Sequence, residues 1–414
     1  GGHTMNLIFK NPKTLKRMHE GPLGPYMNSY AADLHEQGYA QPTAELQIRL
    51  VADFSRWLAK RQTLPQEITH EHSQRYLRFR ARYRCPGRSD VAALKRLFGL
   101  LLRQGVIPEP SLPAVTPTDQ LRDEFSLYLR QERALAATTV RSYLSFVGEF
   151  LTERFSGGPI DLSNLRAAEV IGFVRRRVAL MKSKRVQLVT TALRSFLRFG
   201  RYRGDLCTDL AACVPAVANW SLSTVSRALP PEQIERALAS CNRKTAAGRR
   251  DYAILLLLAR LGLRASEVVT LRLEDLDWQN GLITVRGKGG RYSQLPLPVD
   301  VGKGISNYLR SARPKTISRC VFLRTKAPIA SFKGSQAIAS LVRHALVRAG
   351  IHSLRNGAHQ FRHGLATQML RQNASLAEIG ELLRHRSPQT TTIYAKVDIA
   401  ALRTLALPWP GGAR

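Results

Sequence analysis

The first half of the chain contains an internal repeat, and this feature restricts the fold more than any other. Two stretches align at an offset of about 95–99 positions, with Thr43 matching Thr139, Val51 matching Val147 and Phe54 matching Phe150. Each copy has apolar residues three and four positions apart, which predicts amphipathic helices. We therefore expect two helical modules of similar plan, with chance similarity between helical segments as the competing explanation.

Two proline-marked breaks, Ile107–Gln120 and Cys213–Pro231, are typical of linkers. A chain of 414 residues is also too long for one ordinary hydrophobic core. Residues 1–5 are interpreted as a remnant of cloning. The predicted domains are an N-terminal helical module at 6–112, a second helical module at 117–213 and a C-terminal domain at 229–414.

Positive charge indicates the class of partner. Lysine and arginine total 63 against 30 acidic residues, which gives a net charge of +33. Such an excess favours a polyanion, first of all a nucleic acid, and the arginine-rich stretches around Arg75–Arg84 and Arg175–Arg185 suit phosphate contacts. A ribosomal protein or a binder of anionic membranes fits the charge alone equally well, and either arginine-rich stretch also fits a solvated surface.

Cysteine spacing and hydropathy further restrict the class of protein. The five cysteines are scattered without a CxxC pair, so neither a zinc site nor a disulfide framework is indicated. The longest apolar run, around Ile254–Ala259, is far too short for a membrane span. We expect a cytoplasmic protein with reduced thiols and no membrane partner.

The C-terminal segment mixes helical and strand patterns. A buried helix is predicted before Gly262 and a short one follows at Ala265–Leu271. The alternating stretch Leu282–Pro298 crosses a glycine turn and predicts a hairpin. Four more helices are predicted at 335–350, 359–372, 375–385 and 388–397. The expected fold is therefore mainly α, with a small β-hairpin or sheet in an α+β C-terminal domain.

Side chains suited to attack on a phosphodiester occur in order along this segment. Such chemistry needs a nucleophile, cationic groups that hold the non-bridging oxygens and a proton donor for the leaving oxygen. Arginine suits the second role because its planar fork binds phosphate oxygens in pairs. The candidates are Arg264, Lys288, His359, Arg362, His385 and Tyr394, with Glu267 and His363 as supporting residues.

Four blocks holding these residues resemble the tyrosine recombinase (phage integrase) family, close to its Xer-like and transposon-encoded members. They are ARLGLRASEVVTLRLEDLD, GKGGRYSQLPLP, HQFRHGLAT and LLRHRSPQTTTIYAKV. The likeness covers Leu229–Val397, with a weaker likeness to the family's SAM-like core-binding domain over Leu121–Leu206. It implies a site-specific recombinase that cleaves and rejoins DNA strands, in integration, excision or transposition, through a 3′-phosphotyrosyl intermediate. The implied mechanism requires no metal, nucleotide or organic cofactor.

The resemblance also implies a role for each candidate. Tyr394 would be the nucleophile, and Lys288 would protonate the leaving oxygen with help from His359 in proton movement. The phosphate would be held by Arg264, Arg362 and His385. Each residue also has a structural alternative, such as a solvated lysine at position 288 or a core aromatic at position 394.

Partners follow from the same resemblance. We expect double-stranded DNA and a homotetramer on two DNA sites, or a dimer on one, in the nucleoid of a prokaryotic cell, with partner recombinases or DNA-bending proteins as further candidates. A helix carrying Ile399, Leu402 and Leu405 would dock on a neighbouring subunit. The competing functions are DNA relaxation like that of a type IB topoisomerase and non-catalytic DNA binding.

One departure from the family pattern concerns the turn before the last histidine. The family usually has Leu-Gly-His there, and this chain has Leu383-Arg384-His385. An arginine in place of glycine raises a question about the backbone of that turn, because glycine adopts positive φ angles at no steric cost. The spacing to Tyr394 is preserved, so we expect activity.

Overall fold

The computed structural model describes residues 5, 8–109, 116–156, 158–217, 228–287, 289–352, 357–385 and 387–394. Its contacts divide the chain into two compact units, one formed by Gly1–Glu109 together with Val225–Arg414 and the other by Pro110–Thr224. Inside the first unit, the backbone N–H of Ile329 donates a hydrogen bond of 2.9 Å to the carbonyl of Gln37. Within the described residues, no helix is long and apolar enough to cross a membrane.

The N-terminal part of the first unit is helical. Its described helices are α1 (Pro12–Met18), α2 (Met27–Glu36), α3 (Gln41–Ala59), α4 (His70–Ala81) and α5 (Arg88–Arg103). Buried side chains recur every three or four residues, as with Leu94, Leu97 and Leu101 on α5. This spacing places one face of each helix in a common apolar core.

The second unit contains four described helices, α6 (Pro117–Gln131), α7 (Ala137–Phe155), α8 (Ala167–Leu180) and α9 (Ser183–Tyr202). Thr116 caps α6, since its hydroxyl accepts from the backbone N–H of Asp119 at 3.1 Å. The expectation that the linker runs to Gln120 is therefore wrong at its end, because Pro117 and its neighbours form the first helical turn.

The C-terminal part of the first unit combines helices with a small antiparallel sheet. The helices are α10 (Pro231–Ala239), α11 (Ala246–Arg260), α12 (Ala265–Thr270), α13 (Val299–Ser311), α14 (Ser335–Arg348), α15 (His359–Arg371) and α16 (Leu376–Leu382). The sheet has the order β1 (Leu276–Asp277), β2 (Leu282–Arg286), β3 (Tyr292–Pro296). Arg286 pairs with Tyr292, so the predicted hairpin is confirmed and the fold is mainly helical with a small sheet, as expected.

Helix α13 was absent from the sequence-based prediction. Its sequence includes Gly302 and Gly304, which lower helix propensity. A Cβ at position 304 would lie 2.8 Å from Leu256 Cδ1 on α11. The glycine thus permits close approach of the two helices, and tertiary packing outweighs the local preference.

The helix predicted at 388–397 is also wrong over its described part. Pro388–Thr390 form a single 3₁₀ turn, and the N–H of Tyr394 donates to the carbonyl of Thr391. Three consecutive threonines and an isoleucine precede Tyr394, and β-branched residues lose side-chain freedom in a helix. Residues 395–397, and the docking helix predicted beyond them, lie outside the described residues.

Candidate active site

Arg264 immediately precedes the short helix α12 and is held by a carboxylate one turn later. Its backbone N–H donates to Glu267 Oε2 at 2.8 Å, and its Nη1 donates to Oε1 at 2.7 Å. The Glu267 side chain is only 1% exposed, so the ion pair is shielded from water. The two hydrogen bonds fix the direction in which this guanidinium leaves the helix.

The turn before α12 depends on Gly262, which has a φ of +56°. A Cβ at this position would lie 2.7 Å from Leu383 Cδ2 and would also strain the backbone. The glycine therefore lets the end of α11 pack against the end of α16. This packing brings together two segments about 120 residues apart, as the contact of Arg264 Nη2 with the carbonyl of Arg384 records.

Arg384 binds the same carboxylate as Arg264. Its Nη2 donates to Glu267 Oε2 at 3.0 Å, and its side chain is 10% exposed. Its φ of +55° is the left-handed conformation that glycine would adopt in this turn, at a cost of about 1–2 kcal/mol for an L-residue. The backbone question raised by the sequence is thus answered, and the ion pair with Glu267 offsets the strain.

Arg362 on α15 is 3% exposed and anchored by backbone oxygens. Its Nη1 donates to the carbonyl of Gly262 at 2.5 Å, and its Nη2 donates to that of Leu383. Burial, followed by the charges of Arg264 and Arg384, lowers the pKa of Arg362 to about 10. The guanidinium remains protonated at neutral pH, so a fixed positive charge lies between α11 and α16.

His385 follows this cluster at the end of α16. Its Nδ1 lies 2.7 Å from the hydroxyl of Thr391, a buried residue that the sequence did not single out. Burial, then the positive charges of Arg362 and Arg264, lowers the pKa of His385 to about 4. The imidazole is therefore neutral at pH 7 and has a fixed orientation.

Tyr394 is 1% exposed and packs with Leu383 in a small apolar cluster. Its hydroxyl lies 2.9 Å from Nδ1 of His363, and its ring stacks on that of His385 with centroids 6.4 Å apart. Burial raises the pKa of Tyr394 to about 12, against an opposing effect of Arg362. The phenol is protonated at neutral pH.

His359 lies one turn before His363 on α15, with ring centroids 6.4 Å apart. Although the residue keeps exposed surface, partial burial of the ring and the charges of Arg362 and Arg264 lower its pKa. The structure thus brings together seven of the eight predicted side chains: Arg264, Glu267, His359, Arg362, His363, His385 and Tyr394. The remaining one, Lys288, lies outside the described residues; in the sequence it falls between β2 and β3.

The charges of this cluster do not balance. Three guanidinium groups surround one buried carboxylate, which leaves two positive charges uncompensated among these four side chains. Arg384 belongs to the cluster but was missed as a site residue. The sequence did contain a signal for it: an arginine stands where the family usually has glycine, and this replacement could have been interpreted as a new side-chain contact as well as a change in the backbone. Such a surplus of fixed positive charge suits a phosphate.

Comparison with known proteins identifies the family. Residues 227–400 match the phage integrase family model, and residues 123–204 match the phage integrase N-terminal SAM-like domain. The chain is 50% identical over 97% of its length to a Sinorhizobium fredii protein assigned as an integrase/recombinase, y4rA, and covers 98% of that protein. It is 28% identical to tyrosine recombinase XerA of Pyrococcus furiosus, over 70% of this chain and 93% of that one.

Solved structures agree at the level of the fold. The XerH site-specific recombinase, bound to its palindromic difH substrate after cleavage, superposes with a TM-score of 0.55 at 18% identity. The match covers 73% of this chain and 99% of XerH. These relatives do not favour the two competing functions, which were topoisomerase-like DNA relaxation and non-catalytic DNA binding. From its whole-length relative and the two matching domain models, we conclude that the chain belongs to the phage integrase family, the tyrosine recombinases.

Proposed function

We propose that this tyrosine recombinase cleaves and rejoins DNA strands at a specific site with Tyr394 as its nucleophile. The phenol oxygen forms a bond to phosphorus, and the bond to the 5′ oxygen breaks. The products are a 3′-phosphotyrosine and a free 5′ hydroxyl. A 5′ hydroxyl from a partner duplex then reverses the step, which joins the strands without a metal or nucleotide.

The observation that carries this proposal is the cluster around Glu267, next to which Tyr394 is packed. We assign Arg264, Arg362 and His385 to the non-bridging oxygens of the scissile phosphate. Because Arg362 is held by two backbone carbonyls, little reorganisation is needed as charge builds up on the phosphate. Glu267 positions Arg264 and touches no reacting atom in this scheme.

Proton transfer is assigned to the histidines and to Lys288. With a pKa of about 12, the Tyr394 phenol needs an acceptor for its proton, and the 2.9 Å contact supports the assignment of this role to His363 Nδ1. This gives His363 a more direct part than the supporting role suggested by the sequence. Lys288 donates a proton to the departing 5′ oxygen, as the family resemblance implies, and His359 assists.

Access to the nucleophile requires a rearrangement. Tyr394 is 1% exposed, so the side chains that cover it must move before its hydroxyl meets DNA. The segment that would move is short and contains the 3₁₀ turn Pro388–Thr390. We propose that binding of double-stranded DNA in the nucleoid, by a homotetramer on two sites, supplies this rearrangement.

Trapping on a nicked duplex tests the assignment. The substrate is a duplex from the end of the genetic element that carries this gene, with a nick just beyond the cut so that the 5′ product diffuses away. The wild-type protein should accumulate as a covalent adduct on a denaturing gel, and Tyr394→Phe should form none while it binds the duplex equally well. Tyr252→Phe, a half-buried tyrosine beneath Arg243, is the matched control. An adduct that persists in Tyr394→Phe would refute the proposal.

A further inference from the structure

We propose that the N-terminal module, meaning α1–α5, is a second copy of the SAM-like module, meaning α6–α9, and that it also binds double-stranded DNA. The contact is a basic edge where α4 ends and α5 begins, formed by Arg78, Arg82, Arg84 and Arg88. This inference rests on the proposed function, since it assumes a protein that acts on DNA. It adds a binding surface on duplex flanking the cleavage site.

The helices of the two modules follow the same order once the additional helix α1 is set aside, and one matched pair has the same length. α3 and α7 each have 19 residues, and the offset between them is the one at which the sequences align. Core positions coincide at that offset. The matched buried pairs are Ala44 with Val140, Leu50 with Phe146, Val51 with Val147 and Phe54 with Phe150. Chance similarity of two amphipathic helices explains this shared periodicity, but it does not explain shared contacts with a second helix.

Specific side-chain contacts recur as well. In the N-terminal module the rings of Phe54 and Tyr76 lie 5.0 Å apart. The matched rings, Phe150 and Phe173, lie 5.2 Å apart. An ion pair recurs beside them.

That ion pair joins the same two helices in each module. Arg80 reaches Asp53 at 3.6 Å, and at the matched positions Arg177 reaches Glu149 at 3.5 Å. A shared aromatic pair together with a shared ion pair indicates a duplicated structure. The surfaces of the two modules can therefore be compared residue by residue.

The basic edges of the two modules are alike. Arg78 occupies the position of Arg175, and Arg88 and Arg185 both lie in the first turn of the following helix. All four side chains are exposed. In the described part of the chain, none of the four makes an ion pair with a carboxylate, unlike Arg80 and Arg177 at the same edges. Unpaired arginines along one edge are available for phosphate oxygens.

A groove of about 510 Å³ adjoins this edge in the N-terminal module. Trp57, Phe79 and Tyr83 form its apolar wall, with Arg61 and Arg84 at its rim. Tyr83 is 82% exposed. Exposure of aromatic rings to water is unfavourable. Exposed rings among arginines therefore indicate a surface that contacts a nucleic acid and not one that is only solvated.

The test compares two double variants of the full-length protein. Arg78→Ala/Arg88→Ala removes charge from the edge. Arg49→Ala/Arg103→Ala is the control, because those arginines of the same module pair with Glu45 and Asp33 at 2.6 and 2.8 Å. Affinity is measured against salt on a duplex limited to the cleavage site and on one extended by about two helical turns, roughly 20 base pairs.

We expect the edge variant to bind the extended duplex about fivefold or more weakly, with a salt slope lower by about 0.9 for each lost phosphate contact. Binding to the short duplex and trapping on the nicked substrate should stay unchanged. Equal behaviour of the two variants would overturn the inference while leaving the proposed function intact. A change in the oligomeric state of the DNA-free edge variant, seen by analytical ultracentrifugation, would also overturn it, since the edge would then be a subunit contact.

A measurement on the unaltered protein guards against variants that fail to fold. Cys85 lies within the basic edge and is exposed. The extended duplex should slow its alkylation by a maleimide, followed by peptide mass spectrometry, and the short duplex should not. Unchanged alkylation on the extended duplex would contradict the proposal.

Discussion

Positive charge is gathered in two different ways in this molecule. Around Glu267, Arg264 and Arg384 share one buried carboxylate and Arg362 is tied to backbone carbonyls. On the edges of the two helical modules, arginines such as Arg78 and Arg175 are exposed. The contrast separates a group of charges held by hydrogen bonds, suited to stabilising one transition state, from exposed charges suited to binding any phosphate backbone.

The cluster around Glu267 carries an energetic cost that the exposed edges avoid. Burying a guanidinium is unfavourable unless its N–H groups find acceptors. Arg362 meets this condition through two carbonyls, and Arg384 only in part, since its Nε has no partner among the described residues. Substitutions in the cluster should therefore alter the cleavage rate, and those on the edges should alter affinity.

The largest effect is expected for Arg362→Lys. An ammonium retains the charge but cannot hold both carbonyls and a phosphate oxygen at once. Single-turnover cleavage should fall about 100- to 1,000-fold, with DNA affinity within a few-fold of wild type. Arg371→Lys, at the exposed end of the same helix, is the control, and a loss confined to affinity would argue against a rigid cluster.

Glu267→Gln should have the next largest effect. The amide keeps the shape of the side chain but removes the charge that holds Arg264 and Arg384. Loss of such an indirect support lowers activity by about 10- to 100-fold. We would measure this loss as the cleavage rate under saturating protein. Glu381→Gln, on the surface of α16, is the control. A rate equal to the control would mean that Glu267 does not position Arg264.

Arg384→Gly should be milder. Glycine relieves the left-handed backbone strain while Glu267 keeps its bond to Arg264, so we expect a fall in cleavage rate of about tenfold or less, near 1.4 kcal/mol. Arg384→Lys should recover part of the loss, since its charge can still reach Glu267. If the glycine variant cleaves faster than wild type, Arg384 opposes the reaction instead of supporting it.

On the exposed side of the comparison, Arg175→Ala/Arg185→Ala should leave the cleavage rate of saturated enzyme unchanged. The plot of log affinity against log salt should become shallower by about 0.9 for each lost phosphate contact. Arg176→Ala removes an arginine bound to Glu153 and serves as the control. A slower chemical step in the double variant would erase the distinction between the two kinds of charge.

The smallest effect concerns stability in acid. The pKa of His385 is about 4 in the folded protein and about 6.5 in an unfolded chain. Between these values only the unfolded state binds the proton, so stability falls as the pH drops from about 6.5 to about 4. In His385→Gln the melting temperature should fall less over this window. His344→Gln on α14 is the control, and identical pH profiles would mean that burial and the neighbouring arginines do not depress the pKa of His385.

Local patterns were sufficient for much of the fold. Apolar spacing predicted the existence of α11 and predicted α14 and α15 nearly to their ends, and alternation across glycines predicted the β2–β3 hairpin. The errors occurred where local preference and packing disagree. Gly304 disfavours a helix locally but allows α13 to pack closely against α11. The threonine run before Tyr394 forms a turn that is held by backbone hydrogen bonds within the segment.

The sequence by itself determined the chemistry, since the family blocks specify which arginines, histidines and tyrosine are present and in what order. Only the tertiary structure decided that Glu267 serves two arginines, that Arg384 takes up a left-handed turn to reach it, and that His363 meets the Tyr394 hydroxyl. The physical reason is distance along the chain. Arg384 lies 117 positions after Glu267 and Tyr394 lies 31 positions after His363, so both contacts depend on how α11, α15 and α16 pack, and no local pattern encodes that packing.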